Sequence, residues 1–145
     1  MLLPTSPLRM YWHIDEAVDV LESSLEIAEN SGLNRLEAYA LVNLTDLLNE
    51  LKEYERSKEL AARAKNVFQV LDEPLMLAAS MFNLGEAQAN LGEKAEAMAS
   101  LDKAIAILDK NKISRPGWIQ HYAMILKELD EPEKAEMLLD RGKGK

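Results

Sequence analysis

Few residue types in this chain can do chemistry. Its 145 residues hold two histidines, His13 and His121, and no cysteine. Without thiols there is no disulfide, no thiolate nucleophile and no cysteine metal site. Neither histidine belongs to a helical pair with ligand spacing, so a zinc site lacks its ligand set. His13-Ile14-Asp15-Glu16 places an imidazole beside two carboxylates, but at a helix start such acids simply suit the dipole. There is no Gly-rich phosphate loop and no Gly-x-Ser-x-Gly elbow; Gly32, Gly85, Gly92 and Gly117 fall at turns or repeat signatures. Carboxylates are plentiful but sit in mixed-charge runs such as Glu50–Arg56, the pattern of solvated helix faces. The sequence therefore reads as a non-enzyme that needs no cofactor and no metal. Hydrogen bonding is the chemistry that remains. Asn43 and Asn83 stand 40 residues apart, each just before a Leu of an apolar stripe. A carboxamide donates and accepts. Two of them along one groove can pair with the backbone of an extended peptide, or they can satisfy neighbouring helix groups and water; both readings stand.

The elements that would position these residues repeat. Small residues Ala17, Ser57, Ala97 and Ala135 recur at intervals of 40, 40 and 38, followed by Ser24, Ala64 and Ala104 in the first three registers. Leu44, Leu84 and Tyr122 form a second series, and Leu51, Leu91 and Leu129 follow them by seven. Within each register the apolar spacing is helical, as in Leu41, Leu44, Leu48 and Leu51 or Leu101, Ala104, Ile105 and Leu108. Asn34 with Glu37 reads as a capping box. Asp72-Glu73-Pro74 and Asp130-Glu131-Pro132 read as capping acids before an early-turn proline, and Ser114-Arg115-Pro116 as a looser version. Gly92 suits a left-handed helix end. The pattern predicts helices at about 8–29, 35–51, 54–70, 74–91, 94–110, 116–129 and 132–141. The whole chain, 1–145, is expected to form a single unit: one unpaired first helix, hairpins 35–70, 74–110 and 116–141, and a disordered tail, 142–145.

Composition agrees. Hydrophobic residues make up 48% of the chain and aromatics only 6%, with Ala and Leu dominant, which favours helices over a large sheet. The net charge of −8 repels phosphate backbones, so nucleic acid is not an expected partner. The basic tail Arg141, Lys143 and Lys145 reads as a solvated end. Leu2 and Leu3 are followed by Pro4, with no apolar run for a signal peptide or membrane span, and a cytoplasmic location is expected. Trp12 and Trp118 each open a helix and read as core or end packing, with a binding aromatic as the alternative. Met76, Met81, Met98, Met124 and Met137 read mostly as gap-filling core.

Leu84-Gly85, Gly92, Ala97 and Ala104 together resemble a tetratricopeptide repeat. The preceding register keeps Leu44, Leu51, Tyr54 and Ala64 but has Thr45 and Lys52 at the glycine places. The last keeps Leu129 and Ala135, with Pro132 where an aromatic is usual. The period of about 40 exceeds the common 34 and is similar to that of kinesin light chains and of bacterial regulators with helical sensor domains. The resemblance implies an all-α, right-handed superhelical stack of antiparallel helix hairpins, an α-solenoid of about seven helices. It also implies that the chain begins with the second helix of a repeat, whose partner is missing or replaced by Met1–Tyr11.

In such solenoids the first helices of the hairpins line a concave groove. The resemblance places Tyr39, Val42, Asn43, Asp46 and Asn49 there from the first hairpin, Ala79, Phe82, Asn83, Glu86 and Asn90 from the second, and Gln120, His121, Met124 and Lys127 from the third. It implies that Asn43 and Asn83 bind peptide backbone, with His121 at the equivalent place. Relatives that grip acidic tails of heat-shock proteins use a Lys/Arg clamp; Val42, Phe82 and Asn43 stand at those places, which argues against that activity. Asp46, Glu50 and Glu86 instead suggest a peptide or helix with basic and apolar side chains. The expected function is a non-catalytic protein-binding adaptor. The alternatives are a ligand- or peptide-sensing segment of a larger regulator, and a self-assembling oligomer joined through uncapped ends that expose Val18, Leu21 and Leu25.

Overall fold

Leu and Ala at steps of three and four give each segment one apolar stripe, and short links force successive stripes to face each other. A computed structural model describes residues 7–143, with side chains from His13 to Arg141. The segment Met1–Tyr11, the Trp12 side chain and the lysines at 143 and 145 lie wholly or in their side chains outside the described residues. Seven helices appear among those described: α1 (Pro7–Asn30), α2 (Asn34–Glu50), α3 (Tyr54–Leu71), α4 (Pro74–Asn90), α5 (Lys94–Lys110), α6 (Pro116–Glu128) and α7 (Pro132–Lys143). α7 runs on through residue 143, two residues into the stretch expected as a disordered tail. Neighbours in sequence pack together along the chain, and α2 also touches α4 across the intervening helix. Among the described residues no helix is long and apolar enough to cross a membrane.

The repeat register is visible in the packing. Ser57, Ala97 and Ala135 are fully buried, as are Ala64 and Ala104, so these small side chains sit where helices approach most closely. Leu44, Leu84 and Tyr122 are buried between helices, and Leu51, Leu91 and Leu129 each cap the C-terminus of α2, α4 and α6. Gly85 marks a close approach of α4 and α5: a Cβ there would lie 2.6 Å from Leu101 Cγ and 3.2 Å from the Ala97 carbonyl oxygen.

The turns repeat as well. Lys52, Gly92 and Asp130 close α2, α4 and α6 with φ of 62°, 80° and 62°, and Gly32, Asp72 and Lys112 close α1, α3 and α5 with φ of 69°, 55° and 56°. Each lies in a Schellman-type turn, as where Glu93 N–H donates to the Gln88 carbonyl at 2.9 Å and Gly92 N–H to the Ala89 carbonyl at 3.2 Å. This arrangement overturns the capping expectation. Asp72 and Asp130 end the helix before them instead of capping the one after. Asn34 is already helical, and Leu33 holds the cap place without a side-chain bond. The links are so short that the cap position follows directly on the left-handed residue. The freed side chains serve elsewhere: Glu73 accepts from Arg35, at 2.5 and 3.1 Å, and from the Tyr39 hydroxyl at 2.9 Å, while Glu37 pairs with Arg63. Pro74, Pro116 and Pro132 do open their helices, where a missing N–H costs nothing.

Candidate binding face

α2, α4 and α6 are the first helices of the three hairpins, and the residues expected to line a groove fall on one face of each. The structure sorts them into three groups. Asn43, Asp46, Asn90, Gln120 and Met124 are exposed. Tyr39, Glu86 and His121 are half-buried. Val42, Asn49, Phe82 and Asn83 are buried.

The buried group joins helices. Asn83 on α4 donates through Nδ2 to the Val42 carbonyl at 3.3 Å and to Thr45 Oγ1 at 3.0 Å, both on α2. Asn49 on α2 donates back to the Asn83 carbonyl at 3.2 Å. The two asparagines expected to act alike therefore differ. Asn43 is open to solvent, whereas the Asn83 carboxamide is committed to the α2–α4 seam. Asn49 Oδ1 is buried with no partner, a cost left standing beside the one bond its amide makes. Thr45, unmarked as a site residue in the sequence, is fully buried and supplies a hydroxyl that accepts from Asn83 and donates to the Val42 carbonyl at 2.9 Å. Its only signal was that it stands where the repeat usually has glycine.

The second seam, between α4 and α6, is ionic and aromatic. His121 Nε2 hydrogen-bonds Glu86 Oε1, and this contact raises the imidazole pKa against an opposing effect of burial, with Glu86 and Glu128 adding by charge. The Phe82 ring lies 5.3 Å from Trp118 and 5.7 Å from His121. Trp118, in the first turn of α6, thus packs against Phe82 and the neighbouring core. Tyr39 turns toward α3: its ring meets Phe68 edge-on at 5.2 Å while its hydroxyl serves Glu73. Asn90 Nδ2 donates to the Glu86 carbonyl of its own helix at 2.9 Å.

The electrostatics run one way. The Asp46 carboxyl is pushed up, first because its surroundings displace water, then by repulsion from Glu86 and Glu50, with the Asn83 hydrogen bond opposing. The Tyr54 hydroxyl is raised by burial and by Glu86 and Glu128. Asp46, Glu50, Glu86 and Glu128 thus share one acidic field across three helices, in which His121 is the partner of Glu86. Such a face favours cationic groups and offers Asn43 as an unencumbered amide beside it.

Comparison with known proteins adds three findings. A family model described as Tetratricopeptide repeat matches residues 78–107. A search of the curated proteins finds no match. Among solved structures, the chain is similar to one described as "Crystal Structure of Rap Protein Complexed with Competence and Sporulation Factor", with a TM-score of 0.78 and 22% identity over 92% of this chain and 39% of that one. The present chain thus spans well under half the length of that relative, and the likeness is one of fold. With its central Leu84-Gly85 hairpin, its register of about 40 residues and its seven helices packed in sequence, the chain carries a tetratricopeptide repeat and folds as an all-α solenoid of the tetratricopeptide-repeat kind.

Proposed function

We propose that the α2–α4–α6 face binds a peptide or helix of a partner protein bearing basic and apolar side chains, without catalysis. The repeat and the solenoid support a protein-interaction module. The observation that carries the finer reading is the gathering of Asp46, Glu50, Glu86 and Glu128 on one face, where burial first, and then repulsion from Glu86 and Glu50, hold the Asp46 carboxyl above its ordinary value. Lys or Arg entering it would relieve that repulsion. Exposed Asn43 and Gln120 would hydrogen-bond the ligand backbone, and exposed Met124 would supply an adaptable apolar contact. Asn83 would act indirectly, by holding α2 against α4.

The test is fluorescence anisotropy with paired synthetic peptides of identical apolar pattern, one set carrying Lys and Arg, the other Asp and Glu. The basic set should bind, weaken as salt rises, and weaken again with Asp46→Asn/Glu50→Gln and with Asn43→Ala. Equal binding of the acidic set, or affinity that grows with salt, would refute the reading. The sensing alternative draws support from the solved relative, which is complexed with a factor. It predicts that a bound peptide changes the solution dimensions of the chain, measurable by small-angle scattering; unchanged dimensions would leave simple docking.

A further inference from the structure

We infer that a cleft between α5, α6 and α7 is a binding site for a small amphipathic anion, a molecule with an apolar body and one carboxylate or phosphate head. The cleft has a volume of about 460 Å3, within the ~300–1,000 Å3 range of small-molecule sites. None of the residues expected on the α2–α4–α6 face lines it.

Its origin lies in the repeat register. α4 has seventeen residues and begins after a two-residue link, 72–73; α6 has thirteen and begins after a five-residue link, 111–115. In the earlier repeat the first turn of α4, with Met76 and Leu77, closes over fully buried Phe68. Forty residues on, that helical turn is absent and Leu108 replaces the phenyl ring. A smaller side chain under a missing turn leaves a gap, and in a close-packed interior an unfilled apolar gap forfeits contacts.

The lining suits a particular guest. Ile105, Leu108, Ile113, Ile119 and Leu138 form an apolar wall, with Ile105 and Leu108 almost fully buried. Lys112, Arg115 and Arg141 stand around it with a single acid, Asp109, which pairs with Arg141. Arg115 donates only to the neighbouring Ser114 carbonyl, at 2.8 Å, and neither it nor Lys112 makes an ion pair among the described residues. Three cations to one acid is a local reversal in a chain of net charge −8. Two unneutralised cations beside an apolar gap call for an anionic head on an apolar body.

The experiment is calorimetric titration of the full chain with decanoate and decyl phosphate below their micelle-forming concentrations, with decyltrimethylammonium as the opposite-charge control. Either anion, or both, should bind saturably at one site, and the pair would distinguish a carboxylate from a phosphate preference. Leu108→Phe places in the cleft the ring that the same register already accommodates at Phe68, and should weaken binding at least about tenfold while helicity and melting are retained. Lys112→Glu/Arg115→Glu changes only exposed side chains, so it remains informative if the filled variant misfolds; it should abolish the preference for anions. No saturable binding of either anion, equal binding of the ammonium compound, or unchanged binding in the charge-reversed variant would overturn the proposal.

Discussion

Asn49 and Asn83 tie α2 to α4 through the Asn83 main chain: the Asn49 amide donates to the Asn83 carbonyl at 3.2 Å, while the Asn83 side chain reaches back to the Val42 carbonyl and Thr45 Oγ1. A hydrogen-bonded loop of this kind fixes the distance between two helices of one face more sharply than apolar packing alone, because a small slip leaves buried polar groups unpaired.

The first prediction separates two asparagines that look identical in the repeat. Asn83→Ala removes the bond that Thr45 Oγ1 accepts and one of the two side-chain bonds to the Val42 carbonyl, and should lower stability by about 1–3 kcal/mol, read by chemical denaturation. Asn43→Ala, at an exposed position, should fall within about 0.5 kcal/mol of the parent. Equal losses would mean that the seam does not depend on the Asn83 side chain.

A second prediction concerns the close approach of α4 and α5. A methyl on Gly85 would lie 2.6 Å from Leu101 Cγ and press on the Ala97 carbonyl. Gly85→Ala should therefore destabilise by about 1–3 kcal/mol despite the better helix propensity of alanine. Leu101→Ala should cost about 2–5 kcal/mol through its cavity. In the preceding repeat the register sets Thr45 opposite Ala61, the reverse distribution of bulk, and both are fully buried. The double variant should consequently lose less than the two single losses added together; strict additivity would mean that the two sites do not share one contact.

Helix order, lengths and the small-residue register were legible because they depend on periodicity, which local sequence carries directly. The capping scheme was not. Asp72 and Asp130 look like N-caps by residue type, yet a link of two or three residues forces the same position into a left-handed helix end, and side-chain type does not reveal which role wins. The binding face was half legible. Spacing placed Asn43, Asn83 and His121 on equivalent turns, but not that Asn83 would be buried by its neighbours while Asn43 stayed open. That difference arises because Asn83 reaches α2, the first helix of the hairpin before its own, whereas among the described residues no such helix precedes α2 to receive Asn43, which is a tertiary circumstance. Pairing of Glu86 with His121, 35 residues away, is likewise invisible to a pattern that describes one helix at a time.

The turns give a third prediction. Lys52 and Asp130 occupy the left-handed position that Gly92 fills in the central repeat. An L side chain there costs about 1–2 kcal/mol, partly offset for glycine by its larger unfolded-state entropy. Lys52→Gly and Asp130→Gly should each raise stability by about 0.5–1 kcal/mol, seen as a higher denaturation midpoint with an unchanged slope. A loss would mean that the side chain makes contacts that outweigh its backbone strain.

The last prediction follows from His121. Its pKa is raised in the folded chain, chiefly by the hydrogen bond to Glu86. A raised folded value means that the protonated form is favoured by folding. The resulting stability is fully present below the unfolded value, near 6.5, and disappears as pH rises through the higher folded value. Asp46 is also raised, first by burial, so what it contributes is present below the ordinary carboxylate value and lost as pH rises through the raised one, and it is common to the parent and His121→Gln. The difference in stability between the parent chain and His121→Gln should therefore be greatest near about pH 6 and shrink toward about pH 9. Glu86→Gln should flatten the same curve, because it removes the partner that holds the proton on the ring. A histidine NMR titration supplies the direct check: the His121 ring should titrate above the ordinary imidazole value in the parent and move back down in Glu86→Gln. An unshifted His121 in the parent would show that the α4–α6 seam is held by Phe82 and Trp118 packing alone.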